Sequence, residues 1–262
     1  MKSKCLILSA FVALAGFLPQ SKADVLGSAD SFAVLGGSTV GNTGNTVLNG
    51  NLGVSPGSTI TGFTFSTTPG SGIVNGATYA GGSVAAQAQA DALTAYNALA
   101  GETVSQNGAL TGQDLGGMTL TPGVYFFSAV AQLTGILTLD AQGDSNARFD
   151  FQIGSTLTTA SSSSIVLTNG AQADNVFWQV GSSATLGADT SFDGSILADQ
   201  SFTVNAGASM FGRALAMNAA VTLDDNVITV PEPGSFWLLA FCASVFGAWQ
   251  WLAVWRRKAD RS

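Results

Sequence analysis

The sequence contains no histidine, and its cysteines and lysines all lie near the two ends of the chain. Both cysteines, Cys5 and Cys242, and every lysine fall outside residues 24–230. Within that range only Arg148 and Arg213 are basic, against fourteen acidic residues, which gives a net charge of −12. This range therefore cannot form disulfides, thiolate nucleophiles, imidazole bases or zinc sites of the usual ligand set. Its negative charge also disfavours nucleic acid as a partner.

The carboxylates are the remaining candidates for chemistry. A calcium loop needs about six closely spaced oxygen ligands, and glycoside hydrolysis needs two carboxylates facing each other across a cleft. No calcium-loop motif occurs, so we interpret the acidic pairs as solvated corners, and the sequence predicts no metal, no cofactor and no enzyme activity. Arg148 and Asp150, separated by one residue, are expected to pair on one strand face. The acidic pairs are Asp224 with Asp225, Asp140 with Asp144, and Asp189 with Asp193.

Residues 1–23 have the order of a secretory signal peptide. Lys2 and Lys4 precede an apolar run from 5 to 18, and the small residues Ser21 and Ala23 offer a cleavage site. A first core helix is the alternative. We favour export, with the mature protein beginning at Asp24.

The C-terminal residues 231–262 combine a proline-rich motif with an apolar segment. Pro231-Glu232-Pro233 precedes residues 236–255, which are mostly apolar and long enough to span a bilayer, and a basic tail follows. This arrangement resembles the PEP-CTERM sorting signal of Gram-negative bacteria. The resemblance implies an exosortase-like processing enzyme as partner, transient anchoring in the inner membrane, and a final location that is secreted or at the cell surface.

Residues 24–230 are of single-domain size and consist of short alternating strands separated by Gly, Asn and Asp. Beyond residue 123 three sets of strands recur, every 15 to 28 residues or so, which is typical of a β-solenoid of triangular section. Residues 31–61 show the same pattern. The first set of strands is 124–128, 149–153, 176–180, 195–198 and 213–216; the second is 132–134, 156–158, 184–186, 201–204 and 220–223; the third is 136–139, 165–168, 191–192, 209–211 and 226–229.

One helix is predicted at about 83–100, where Gly and Pro are absent and strong helix formers dominate. Leu93, Tyr96 and Leu99 recur at spacings of three, and the richness in alanine permits the helix to approach a flat sheet closely. A helix of this length spans about 27 Å, and seven strand rows span about 29 Å, so the helix is long enough to cover one side of the solenoid.

Seven threonines sit beside apolar residues in the predicted strands. Because alternate side chains of a strand face opposite ways, an inward apolar neighbour sends each threonine outward. Stacked coils would then align these threonines in one column on a flat face, with hydroxyl and methyl groups and almost no charge. The residues predicted for this face are Thr39, Thr59, Thr134, Thr158, Thr185, Thr203 and Thr222, extended by Ser58, Ser201 and Ala220.

The chain from Leu26 to Ile228 resembles the microbial ice-binding protein family. Stretches that carry the resemblance are LGSADSFAVLGGSTVGNTG from residue 26, NGNLGVSPG from residue 49, LTNGAQADNVFWQVGSSATLG from residue 167 and FGRALAMNAAVTLDDNVI from residue 211. The resemblance implies a mainly β fold: a right-handed, discontinuous β-solenoid with one long helix alongside, whose N-terminal coils stack out of sequence order. It also implies an ice-binding surface on one flat face rich in Thr, Ser and Ala.

Three functions were compared. The sequence favours an ice-binding (antifreeze) protein, acting as a monomer on the ice crystal surface. The alternative is a non-enzymatic adhesin or exopolysaccharide-matrix protein on the same scaffold. A solenoid polysaccharide lyase or hydrolase is disfavoured because residues 24–230 hold two arginines and no lysine. Gln132, Gly187, Asn205 and Asp224 lie beside the threonines and leave the strength of ice binding open.

Overall fold

A computed structural model describes residues 25–63 and 71–231. The predicted signal peptide, 1–23, and the predicted membrane segment, 236–255, lie outside these residues. No helix in the described part of the chain is long and apolar enough to span a membrane.

The described chain winds into a solenoid with three flat faces, and neighbouring strands on every face are parallel. We name the faces by what covers them. The helix face packs against the long helix, the open face has no element over it among the described residues, and the threonine face carries the predicted threonines. Each coil passes through the helix face, the threonine face and the open face in that order.

The helix face contains β1 (Phe32–Gly36), β4 (Asn51–Val54), β7 (Thr78–Ala80), β9 (Gly123–Phe127), β12 (Phe149–Ile153) and β15 (Val176–Val180). The threonine face contains β2 (Thr39–Thr43), β5 (Thr59–Thr61), β10 (Ala131–Leu133), β13 (Leu157–Thr159), β16 (Ala184–Leu186), β18 (Phe202–Val204) and β20 (Val221–Asp224). The open face contains β3 (Val47–Asn49), β6 (Ile73–Val74), β8 (Thr119–Leu120), β11 (Ile136–Asp140), β14 (Ser164–Thr168) and β21 (Val227–Thr229).

Two long strands, β17 (Ser191–Ala198) and β19 (Ser209–Ala216), run from the open face onto the helix face. The sequence predicted each of them as two separate strands. They remain continuous because Gly194 and Gly212, with φ of 108° and 154°, take the chain around the edge without breaking the ladder. Gly50, with φ of 149°, lies at the same edge between β3 and β4. We call this edge the glycine seam.

The N-terminal coils stack out of sequence order, as the resemblance implied. Strands β1, β2 and β3 pair with β19, β20 and β21, so the chain before residue 50 continues the solenoid beyond its last C-terminal coil. The threonine face consequently has seven strands in the order β10-β13-β16-β18-β20-β2-β5. Seven rows were expected from the sequence, and the discontinuous solenoid is confirmed.

The interior is filled by apolar side chains from all three faces. At its widest part the rings of Tyr125, Phe151 and Trp178 stack on successive coils, and the Phe151 and Trp178 centroids are 3.7 Å apart. Phe192 closes the row against Trp178 at 5.1 Å. Parallel register forces like residues to stack, and aromatic rings gain from this geometry.

The helix, α1 (Gly82–Ala100), begins one residue before its predicted start and lies on the helix face. Its buried side is an alanine stripe, completed by Leu99, that contacts residues such as Phe177 and Leu215. Leu93 is 47% exposed and lies outside this stripe. Alanine occupies the positions that contact the sheet because its short side chain lets the helix axis approach a flat sheet closely. The stripe is Ala85, Ala88, Ala92 and Ala95.

Two arginines secure the helix face. Arg148 pairs with Asp150 at 2.9 Å, as predicted, and also with Glu102 at 2.6 Å, just after the helix. Arg213 is fully buried next to the glycine seam. It pairs with Asp30 at 2.6 Å and Asp174 at 3.1 Å, which ties the N-terminal segment to the later coils.

Arg213→Ala is expected to lower the free energy of unfolding by about 3 kcal/mol, because it leaves two carboxylates without their buried cation. Phe211→Ala, two residues earlier on the same strand, is the control. Phe211 is 45% exposed on the open face, so its truncation should cost less than about 1 kcal/mol. Denaturant unfolding measures both losses, and equal losses would show that the Arg213 cluster is not a stabilising centre.

Candidate ice-binding face

The threonine face separates two sets of side chains by strand alternation. The inward set is apolar and buried, as with Leu157, Leu186 and Val221. The outward set is small, mostly hydroxylated and exposed or half-buried. β-Branched residues suit such strands and hold one preferred rotamer, so the outward surface is pre-ordered.

The strand register defines a central line of outward residues, one from each coil, which we call the threonine column. Four neighbouring coils supply Thr158, Thr185, Thr203 and Thr222. Neighbouring strands in a sheet lie about 4.8 Å apart, so these four threonines form an evenly spaced row. In strand order the full column is Gln132, Thr158, Thr185, Thr203, Thr222, Gly41 and Thr61.

The expected single column of seven threonines was therefore wrong for three members. Thr39 and Thr59 pair with each other one column to the side, two residues before Gly41 and Thr61. Thr134 lies two residues after Gln132, on the opposite flank. Sequence reasoning missed Thr61, which lies two residues after Thr59 on β5.

The flanking column before the threonine column is also rich in hydroxyl groups. It includes the predicted residues Ser201 and Ala220 with Thr39 and Thr59, and it adds Ser183, whose hydroxyl lies 2.9 Å from that of Ser201. Ser58 is exposed ahead of β5, beside Gly81 at the corner near the helix, and is not part of the column. The opposite flank is less regular, because Asp224 pairs with Thr43 there and Gly187 and Asn205 occupy equivalent positions.

The hydroxyl groups on the two sides of the sheet differ in their hydrogen bonds. Inward Thr159 is 3% exposed; its Oγ1 lies 2.9 Å from Thr190 Oγ1 and accepts a bond from the Gly187 amide at 2.8 Å. The four central threonines of the column form no side-chain hydrogen bond with any described residue. Their hydroxyls are consequently free to bind water.

One end of the column carries a charge. Asp114 forms an isolated β-bridge with Gln132, so it continues the column by one position beyond the last full coil. Partial burial opposes ionisation there, but the amides of Gly116 and Thr134 donate to the carboxylate at 2.7 and 2.9 Å and lower the pKa of Asp114. The column thus runs from a fixed negative charge at its end to an uncharged row of threonines at its centre.

The acidic pairs singled out from the sequence lie in different local environments. No cluster of ligating residues suited to a metal occurs in residues 25–63 and 71–231. Asp140 and Asp225 lie at corners, as predicted. They accept hydrogen bonds there from Asn169 and Asn45, respectively. Asp193 differs, because it lies on β17 in the open face, where burial raises its pKa to about 6.

A shallow groove of about 270 Å³ lies between the helix and the turn at Pro56. Gln89, Leu93 and Met217 contribute to its lining, and no ionisable side chain does. The groove therefore offers no ionisable acid or base, and its one hydroxyl is that of Ser55.

A three-faced parallel solenoid with one covered face and one hydroxyl-rich face defines the class of protein. The model of the Ice-binding-like family matches residues 34–229. An ice-binding protein from Nostoc sp. (strain HG1) is 55% identical over 88% of this chain and 89% of that protein. The chain belongs to the ice-binding-like family.

Solved structures support the same relationship. An ice-binding protein from an Antarctic biological consortium superposes with a TM-score of 0.74 at 45% identity, over 78% of this chain and 89% of that one. An ice-binding protein from the ascomycete Antarctomyces psychrotrophicus gives a TM-score of 0.74 at 41% identity, over 79% of this chain and 98% of that one.

Thr159→Val is expected to lower the free energy of unfolding by about 1–2 kcal/mol, because it leaves the buried Gly187 amide without its acceptor. Thr158→Val, the same change one residue earlier on the outward side, should alter it by less than about 0.5 kcal/mol. Denaturant unfolding of both variants tests the assigned orientation. A larger loss for Thr158→Val would mean that the strand faces the other way.

Proposed function

We propose that this protein adsorbs to ice through the threonine face and so inhibits ice growth or recrystallisation. The observation that carries the proposal is the run of four aligned threonines with free hydroxyls at the centre of a flat sheet. A relative named for ice binding is 55% identical to this chain, and an ice-binding protein of known structure shares the fold at 45% identity. The proposed action is non-enzymatic.

The geometry suits a crystalline surface. The face repeats about every 4.8 Å from coil to coil and about every 6.7 Å between outward residues along a strand. Hydroxyls at these positions anchor water molecules, while the threonine methyls present apolar surface that water does not bind. Since β-branched side chains and a hydrogen-bonded sheet are already ordered, little further conformational entropy is lost when many weak contacts form together.

The composition of the face sets the extent of the regular array. The uninterrupted threonines end at Gln132 on one side and at Gly41 on the other. Gln132 has a long flexible side chain and Gly41 has none, so neither continues the row of hydroxyls and methyls. We infer that the central four coils dominate adsorption and that the flanking hydroxyls of Ser183 and Ser201 add to it.

We propose further that the chain is exported and reaches the cell surface or the medium. The N-terminal residues 1–23 support this as a signal peptide, and residues 231–262 support transient anchoring in the inner membrane of a Gram-negative bacterium and processing by an exosortase-like enzyme. The ice-binding unit acts as a monomer, because the threonine face needs no second copy to be complete.

Thr203→Tyr is expected to abolish ice recrystallisation inhibition and thermal hysteresis, because the ring projects from the centre of the flat face and holds ice away from its neighbours. The melting temperature should shift by no more than about 2 °C, since the side chain is on the surface.

Ser209→Tyr is the matched control. Ser209 lies outward on the open face in the same coil, so its variant should keep full activity. Retained activity in Thr203→Tyr together with loss in Ser209→Tyr would move the ice-binding site to the open face. No activity in the unmodified protein would remove the proposed function.

A further inference from the structure

The exposed large apolar side chains of this protein concentrate on the open face. Five of the eight in the described chain lie on its strands, and each of the five is at least 40% exposed. An exposed apolar patch of a few hundred Å² or more on a soluble protein marks a candidate binding surface. The five side chains are Ile73, Ile136, Val166, Phe211 and Val227.

One carboxylate lies among these apolar side chains. Asp193 is half-buried on β17, and it is in register with the exposed Phe211 on β19. On its other side lies β14, which carries the exposed Val166 and whose Ser164 pairs with Ser191, two residues before Asp193. The carboxylate of Asp193 has no hydrogen bond or ion pair with any described residue.

No basic side chain of the described chain is available to neutralise Asp193. The two that it contains, Arg148 and Arg213, each pair with two other carboxylates on the helix face. Because a partly buried carboxylate without a counterion is unfavourable, a cation from another molecule would offset the cost of its charge. The net charge of −12 on residues 24–230 also attracts basic partners over longer distances.

We propose that the open face docks a basic surface of another protein, with a lysine side chain of that protein placed on Asp193 between Phe211 and Val166. A lysine matches all three groups. Its ammonium pairs with the carboxylate, its aliphatic stem packs against Val166, and the face of the Phe211 ring attracts its positive charge. The threonine face lies on another side of the solenoid, so a docked partner leaves it free.

The size and charge of the open face argue against a second copy of this chain as the partner. Its eight strands span about 34 Å, and about five residues per strand give a width of about 16 Å, so the face covers roughly 550 Å². A standard interface buries about 800 Å² on each partner, so the open face suits a transient contact. A two-fold pair would also bring two Asp193 carboxylates and two chains of like charge together.

The ionisation of Asp193 makes this docking dependent on pH. Burial raises the pKa of Asp193 to about 6, so the carboxylate that a lysine needs is present at pH 7.5 and largely protonated at pH 5. Asp140 is the other ionisable side chain on the open-face part of the described strands. Hydrogen bonds from the Asn169 side chain and the Gln142 amide lower the pKa of Asp140, so it stays ionised throughout this range.

Residues 24–231 can be studied alone in a direct test. The family model matches residues 34–229, and the Antarctomyces protein of known structure is covered over 98% of its length by 79% of this chain. The probe is the peptide acetyl-Ser-Leu-Ser-Lys-Ser-Leu-Ser-amide, which places a lysine between two apolar side chains. Its control peptide has glutamate in place of lysine. Binding is measured at pH 7.5 from the amide chemical shifts of the protein in NMR titrations.

The lysine peptide is expected to bind saturably and to shift the amides of β14, β17 and β19, whereas the glutamate peptide should not bind. Asp193→Asn should weaken binding at least about fivefold, because it removes the charge and keeps the shape of the side chain. Phe211→Ala should weaken it at least about twofold through the lost ring. The matched control is Asp199→Asn, at the corner between β17 and β18, which removes the same charge away from the open face and should change binding by less than about twofold.

Lowering the pH from 7.5 to 5 should weaken binding to the natural sequence at least about threefold and leave the weak binding of Asp193→Asn unchanged. Absence of saturable binding, equal losses in Asp193→Asn and Asp199→Asn, or shifts centred on the threonine face would overturn the docking site. Butylamine that binds as tightly as the lysine peptide would also overturn it, since the site would then accept a small amine without any contribution from a protein surface.

Discussion

The parallel, in-register pairing of short strands is the constraint on which the rest of this structure depends. Once each coil hydrogen-bonds to the next at a fixed register, one residue position in every coil becomes a line along the molecule. Inside, that line is the stack of Tyr125, Phe151 and Trp178. Outside, the same rule turns single threonines into a regular surface, so the core and the candidate site have one physical origin.

The discontinuous order of the coils gives the threonine face its full length. Without the N-terminal strands, the face would end at β20, and its last threonine, Thr222, would lie at a bare edge. Pairing of β2 with β20 places four central threonines well inside the sheet. The helix covers a second face, and Arg213 fastens the N-terminal segment to the coils on which it stacks.

Much of this arrangement could be predicted from the sequence. Strand alternation identified the coil strands, helix propensity located α1 to within one residue at its start, and the resemblance to ice-binding proteins implied the discontinuous solenoid. The alternation also gave the outward direction of Thr158, Thr185, Thr203 and Thr222. These are local properties, and local sequence determines them.

Register was harder to predict, because it depends on corner lengths that differ from coil to coil. Thr39, Thr59 and Thr134 face outward as expected but lie one column away, since Gly41, Thr61 and Gln132 are the residues in register with the central threonines. The contact between α1 and the sheet agrees with the alanine richness of the sequence, because a flat sheet accommodates the small side chains of the alanine stripe.

The most direct test of the account is to extend the threonine column by one coil. Gly41 faces outward with its Cα position open to a side chain, since an added Cβ would make only an ordinary 3.6 Å contact with Thr61 Oγ1. Gly41→Thr would join the four central threonines to Thr61 in one unbroken row. This variant is expected to inhibit ice recrystallisation at a lower concentration than the natural protein, with an unchanged circular dichroism spectrum. Equal or weaker inhibition by a folded variant would contradict the claim that the aligned threonines bind ice.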